Sequence, residues 1–192
     1  MRFKRKKYNV VFLDRDGVIN KFPGRGKYIT SLKDFKFIKG ALEALKSLTR
    51  AGFEIFIISN QAGVAKKIYS RATLKKMTEK MLKEIKKAGG KIKRVLYCLH
   101  RESDNCPCRK PKTAMITKAL KLLDKPIDRK HSYLVGDDIS RDIIMGKKAR
   151  LSTILVLSGR ERIKERSDWQ IQPDCVVKNL SQAARFIINN ST

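Results

Sequence analysis

No stretch of the 192-residue chain approaches the roughly 18 consecutive apolar residues of a membrane-crossing helix, so a spanning helix is excluded. The opening "MRFKRKKYNVVFLD" starts basic, as a signal peptide does, but its apolar run stops at Asp14 and no small-residue cleavage site follows. A cytoplasmic protein is expected. Acidic residues are scarce: 18 Asp and Glu stand against 45 Lys and Arg, a formal charge of +27. That excess favours anionic partners, from a small phosphorylated substrate to a polyanion. Much of it, however, lies in lysine-rich helical stretches such as "RATLKKMTEKMLKEIKKAGGKIKR" (71–94), where a solvated polar face needs no partner. There is no recognisable DNA-binding module and no aromatic stacking platform, so a nucleic-acid role rests on charge alone and is not favoured.

What is present suits one globular domain, 1–192, with 42% apolar residues to build a core. Short apolar runs sit at 10–13, 53–59, 94–98, 132–136, 152–157 and 175–177. Between them, 40–52, the lysine-rich stretch, 112–124 and 142–150 place apolar residues at spacings of three and four, the mark of helices. Runs without period-two alternation suit parallel strands covered on both faces, so the fold class is α/β with an open parallel sheet and right-handed crossovers. In such sheets a ligand lies beyond the C-terminal ends of the strands.

Polar clusters stand at those ends. "DRDG" follows the first strand, "SNQAG" (59–63) the second and "GDDISRD" (136–142) the fourth, while "CRKP" (108–111) lies in the loop after the third. One such cluster is ordinary turn chemistry; four in order are harder to dismiss. Together "FLDRDGVIN", "SNQAGVA", "CLHRESDNCPCRKPK" and "VGDDISRD" make the chain, from about Val10 to Leu180, similar to the haloacid-dehalogenase (HAD)-like phosphohydrolases. Within them it resembles the small class that holds the heptose-1,7-bisphosphate and histidinol-phosphate phosphatases. The resemblance implies a Rossmann-like three-layer α/β/α domain with a minimal cap and a zinc-binding loop. The small cap argues for a monomer.

The chemistry of the residues agrees. Phosphate monoesters hydrolyse very slowly unaided, and carboxylates can supply both a nucleophile and proton transfer. The resemblance implies that Asp14 attacks phosphorus and that Asp16 serves as general acid and base. It assigns Mg²⁺ to Asp14, the Asp16 carbonyl and Asp137, oxygen donors that suit a hard cation. Ser59 and Asn60 end the second strand, where they can bind phosphate or cap a helix. The resemblance gives Ser59 the transferred phosphoryl group, Lys110 its developing charge and Arg109 the orientation of substrate. Asp138 stands where heptose phosphatases often carry Lys, and it can support the metal through water or hydrogen-bond the Asp137 loop. Asp142 is expected to cap or orient the next helix.

Cys98, His100, Cys106 and Cys108 form a C-x-H-x5-C-x-C array, a donor set for tetrahedral structural zinc. A disulfide is the alternative, weakened by the odd number of cysteines in the loop and the reducing compartment expected. Zinc there would staple the loop carrying Arg109 and Lys110. Cys175 reads as a small hydrophobe and His131 as structural. For substrate choice, the loops 20–30 and 65–70 matter, and Arg25, Lys27 and Lys67 can meet a second phosphate. "SNQAGVAKK" and "RKPKTAM" depart from the "SNQSGIARG" and "RKPxPGM" usual in heptose phosphatases. The expected substrate is a small phosphorylated sugar, foremost the C7 phosphate of heptose 1,7-bisphosphate. Histidinol phosphate, a polynucleotide 3′-phosphate and a non-catalytic nucleic-acid role are the alternatives.

Overall fold

The computed structural model describes residues 7–191. The basic opening residues 1–6 lie outside the described residues. Six parallel strands, β1 (Val10–Leu13), β2 (Glu54–Asn60), β3 (Arg94–Cys98), β4 (Tyr133–Gly136), β5 (Ser152–Val156) and β6 (Cys175–Val177), form one sheet in the order β3-β2-β1-β4-β5-β6. The helices are α1 (Ala41–Arg50), α2 (Arg71–Lys87), α3 (Ala114–Leu120), α4 (Ile144–Lys148) and α5 (Leu180–Asn189).

The central strands carry unbroken apolar runs, Val10–Leu13 in β1 and 55–58 in β2, because each face of the sheet has its own core. Val11, Leu13, Ile55 and Ile57 point into the cluster built with α1, α2 and α5. Their neighbours Val10, Phe12, Phe56 and Ile58 point into the one built with α3. The pleat sends successive side chains to opposite faces, so this three-layer arrangement requires the unbroken runs. The lysine-rich helix obeys the same logic: α2 buries Leu74, Met77, Met81 and Ile85 and turns its lysines to solvent. Burying each such side chain contributes about 1.5–3 kcal/mol. Ser70 Oγ caps α2 by accepting from the Thr73 N–H at 3.0 Å.

Several helices differ from the sequence reading, among them α2, which ends at Lys87 rather than 94. The helix expected over 112–124 is confined to Ala114–Leu120, and the one over 142–150 begins as a wide π-type turn, Ile139–Ile143, before α4. The terminal helix α5 goes beyond the reading; its buried Leu180, Ala183, Ala184 and Ile187 stand at helical spacing and pack on α1. No helix among the described residues is long and apolar enough to cross a membrane.

The strand order fixes where a site can be. The chain winds from β1 to β2 and β3 on one side, then returns to β4 beside β1 and continues outward to β6. Between β1 and β4 the winding reverses, and crossovers leave that junction open at the C-terminal ends of the strands. Asp14 follows β1 and Asp137 follows β4, and the Asp14 N–H donates to the Val135 carbonyl at 3.0 Å.

Candidate active site

A polar cleft of about 240 Å³ opens over this junction, lined by Asp14, Asp16, Ser59, Asn60, Arg109, Lys110 and Asp137 among others. The expected catalytic, phosphate-binding and magnesium residues therefore line one cavity. At its floor, carboxylate oxygens of Asp14, Asp137 and Asp142 lie within 4.8 Å of one another. Lys110, 4% exposed, bridges two of them, its Nζ donating to Asp14 Oδ1 at 2.6 Å and to Asp142 Oδ1 at 2.7 Å. Asp142 therefore sits inside the charged cluster and holds the lysine, beyond the capping role expected of it. Its second oxygen accepts the Asp138 N–H at 3.3 Å.

Three buried acids around one ammonium leave negative charge uncompensated. Burial, then the charges of Asp14 and Asp142, push the Asp137 carboxyl well above the ordinary carboxylate range. Burial also carries Asp142 up to about 7, against the pull of Lys110. The Lys110 ammonium is disfavoured by burial, yet the facing Asp14 and Asp142 charges outweigh this and raise its pKa. Buried oxygen donors short of positive charge fit a hard divalent cation such as Mg²⁺. The loop after β5 closes over Asp137: Arg160 donates its N–H to Asp137 Oδ2 at 2.7 Å, and a Cβ at Gly159 or Gly17 would overlap the Asp137 side chain.

Asp138 belongs to the loop rather than to this cluster. Its Oδ1 accepts the Arg141 N–H at 3.1 Å and the Ser140 hydroxyl at 2.7 Å, capping the turn that follows β4. Arg160 Nε lies 3.2 Å from its other oxygen.

Asp16 is held by groups the sequence reading passed over. Arg15, 1% exposed and 5.9 Å from the ring centroids of both Phe35 and Tyr97, donates to both Asp16 oxygens at 2.9 Å. Asn20 adds a bond of 2.8 Å and Gln61 one of 3.1 Å. The sequence signal for Arg15 was its place between the two acids of "DRDG"; Gln61 had only its neighbours in "SNQAG".

Asn60 engages the backbone of Lys110, accepting its N–H at 3.1 Å and donating to its carbonyl at 3.3 Å. It therefore positions the lysine. Arg109 lies 3.7 Å from Glu102 and donates to the His100 carbonyl at 3.5 Å. Of the cations expected to meet a second phosphate, Lys27 lines the cleft. Arg25 instead faces Glu165 at 3.5 Å and lines a neighbouring cleft, and Lys66 takes the lining place expected of Lys67. His131 pairs with Asp128 at 3.0 Å, and Cys175 is half-buried on β6.

Beside the cleft, Cys98, His100, Cys106 and Cys108 gather their ligand atoms within 4.8 Å. The Cys98–Cys106 and Cys106–Cys108 sulfurs are 3.5 and 3.4 Å apart, and His100 Nδ1 is 3.8 and 3.3 Å from Cys98 and Cys108. A disulfide needs about 2.05 Å. A tetrahedral zinc with arms of about 2.3 Å to sulfur and 2.0 Å to nitrogen needs edges of roughly 3.5–3.8 Å, close to those observed. Burial pushes the Cys98 thiol up to about 12, whereas hydrogen bonds from Cys108 and Cys98 overcome burial and bring Cys106 down to about 7. Packing three sulfurs together thus sets them competing for protons, which a cation relieves.

The HAD-hydrolase-like family model matches residues 107–183. A heptose-1,7-bisphosphate 7-phosphatase of Campylobacter jejuni, named for the α anomer, is 35% identical across 94% of this chain and 96% of its own. The chain belongs to the HAD-like phosphatase family. A β-anomer counterpart in Neisseria meningitidis is 34% identical across 95% of this chain and 96% of its own. Among solved HAD-like phosphatases, the D,D-heptose 1,7-bisphosphate phosphatase of B. bronchiseptica, complexed with magnesium and phosphate, superposes with a TM-score of 0.85. It is 27% identical and covers 94% of this chain and 98% of its own.

Proposed function

We propose that the protein is a Mg²⁺-dependent phosphomonoesterase that removes the C7 phosphate of D-glycero-D-manno-heptose 1,7-bisphosphate. Such an enzyme serves the synthesis of nucleotide-activated heptose for lipopolysaccharide or a related surface glycan. The observation that carries the chemistry is the meeting of Asp14, Lys110 and Asp137 at the ends of adjacent strands. Similarity to heptose phosphatases along nearly the whole chain carries the substrate.

In this reading Asp14 attacks phosphorus, forming an aspartyl-phosphate as the ester oxygen departs, and water then cleaves that intermediate to inorganic phosphate. Asp16 gives its proton to the departing oxygen and recovers one from the attacking water. Lys110 faces the charge that builds on the phosphoryl oxygens, and the Ser59 hydroxyl donates to one of them. Asp14, the Asp16 carbonyl and Asp137 would hold Mg²⁺, which would supply the charge neutralisation needed for anionic Asp14 to approach an anionic ester. Zinc on the four-residue cluster anchors the loop that delivers Arg109 and Lys110. Lys27, Lys66 and Arg109 line the outer cleft, where a second phosphate is attracted. We read residues 1–192 as one domain, monomeric and cytoplasmic.

The test is phosphate release with Mg²⁺ from both heptose bisphosphate anomers, histidinol phosphate and a 3′-phosphorylated oligonucleotide, with Asp14→Asn as control. A preference for a heptose bisphosphate of about a hundredfold in kcat/KM, roughly 2.7 kcal/mol, is expected. Faster turnover of histidinol phosphate or the oligonucleotide would keep the chemistry and overturn the substrate.

A further inference from the structure

Outside the reacting carboxylates, the Gln61 side chain is held in the cleft at both ends of its carboxamide. The residue is 2% exposed, and its carboxamide touches three side chains. Its Nε2 donates to Asp16 Oδ2 at 3.1 Å and to Ser59 Oγ at 3.1 Å. Its Oε1 accepts the hydroxyl of Tyr69 at 2.6 Å. An amide nitrogen carries two hydrogens, so the two acceptors consume its donor capacity.

A carboxamide can turn over end for end, and Asp16 and Ser59 do not by themselves forbid it equally. Turned over, Gln61 would set its oxygen against the Asp16 carboxylate and leave Ser59 Oγ without its donor. Tyr69 opposes that state, because its O–H bonds the oxygen where it now stands. The phenol is itself well seated: it is 7% exposed, its ring centroid lies 6.3 Å from that of Tyr28, and a side chain at Gly63 would overlap it.

The fixed amide has a chemical consequence at Ser59. Since Oγ accepts from Gln61, the serine's own hydrogen is left to be donated elsewhere, and Ser59 lines the cleft. The same amide shares Asp16 Oδ2 with Arg15, while Asn20 and Arg15 hold Oδ1. We infer that Tyr69 and Gln61 form a positioning pair, in which the phenol locks the carboxamide so that one nitrogen aims both the phosphate-binding serine and the acid–base aspartate. This rests on the phosphatase reading above. The sequence reading placed Tyr69 only in a substrate loop.

Tyr69→Phe keeps the ring and removes only the hydroxyl. The assay is Mg²⁺-dependent release from heptose 1,7-bisphosphate and from p-nitrophenyl phosphate, with inhibition by inorganic phosphate measured alongside. The variant is expected to keep the wild-type melting temperature, to lose about tenfold in kcat on both esters, about 1.4 kcal/mol, and to bind inorganic phosphate several-fold more weakly. Acting only through the amide, the hydroxyl should matter little once the amide is gone. Tyr69→Phe is therefore expected to cost less than about twofold in a Gln61→Met background, or in Gln61→Ala if the methionine variant does not fold. Unchanged kcat and phosphate inhibition in Tyr69→Phe would overturn the inference. So would an equal loss in both backgrounds, which marks packing. Absence of Asp14-dependent turnover in the wild-type protein would instead overturn the phosphatase reading, so the two failures are distinct.

Discussion

Removing Mg²⁺ should make this protein less stable as pH rises through neutrality, the reverse of the usual behaviour of paired carboxylates. Asp142 is enclosed, and burial, together with the Asp14 and Asp138 charges, carries it from 3.8 to about 7 despite Lys110. A raised carboxyl keeps its proton in the folded state where the unfolded chain has lost it. Its stabilising contribution is full below about pH 4 and disappears as pH rises through about 7. Over the whole range this amounts to on the order of a few kcal/mol, more than half of it lost between pH 5 and 8. Asp137 is shifted in the same direction and adds to the slope. Lys110, also raised, contributes in full across this window because its own change begins above its ordinary 10.5. The lowered carboxyls of Asp34, Asp124, Asp128 and Asp174 lose their contributions only on acidification through and below about pH 4. For a chain of this length, the expected fall in melting temperature from pH 5 to 8 is about 5–10 °C. The assay is thermal unfolding in Mg²⁺-free buffer that leaves zinc bound, repeated with millimolar Mg²⁺ and with Asp142→Asn. Mg²⁺ should stabilise more at pH 8 than at pH 5, and Asp142→Asn should flatten the metal-free slope. Metal-free stability that is level or rising from pH 5 to 8 would refute the reasoning.

Three further outcomes follow from the same geometry. Lys110→Met removes the ammonium between Asp14 and Asp142 and should lower kcat by about a hundredfold or more; stability read by urea unfolding should drop by about 3 kcal/mol, since buried acids lose their partner. Stripping zinc, or Cys98→Ser, should lower the melting temperature and raise KM together with a fall in kcat, with metal analysis of the intact protein giving about one zinc per chain. Gly159→Ala forces a Cβ into the Asp137 carboxylate and should weaken Mg²⁺ activation by at least about tenfold, read from the Mg²⁺ dependence of turnover.

The parts of the fold that were legible in the sequence are those set by local pattern. Val10–Leu13 and Tyr133–Gly136 announced themselves because parallel strands buried on two faces read as unbroken apolar runs. The helix over 142–150 was misplaced at its start because Asp138 caps a wide turn there, where periodicity carries no boundary signal. The zinc ligands were legible from residue type and spacing, and Asp14 and Asp137 from their places at strand ends together with the family resemblance. What joins them was not. Lys110 meets Asp14 across 96 positions and Gln61 meets Asp16 across 45, contacts that only the strand order creates. For the same reason the bonds of Asn60 to the Lys110 backbone, made across 50 positions, were not legible beside its place in the cleft.

The central claim is that Asp14 takes the phosphoryl group from substrate. Mixing enzyme, Mg²⁺ and heptose 1,7-bisphosphate, quenching within one turnover and reducing with borohydride converts an aspartyl-phosphate to homoserine, which peptide mass spectrometry locates. The account predicts homoserine at position 14 only when substrate is present. Turnover with an unmodified Asp14, or modification at another carboxylate, would contradict it.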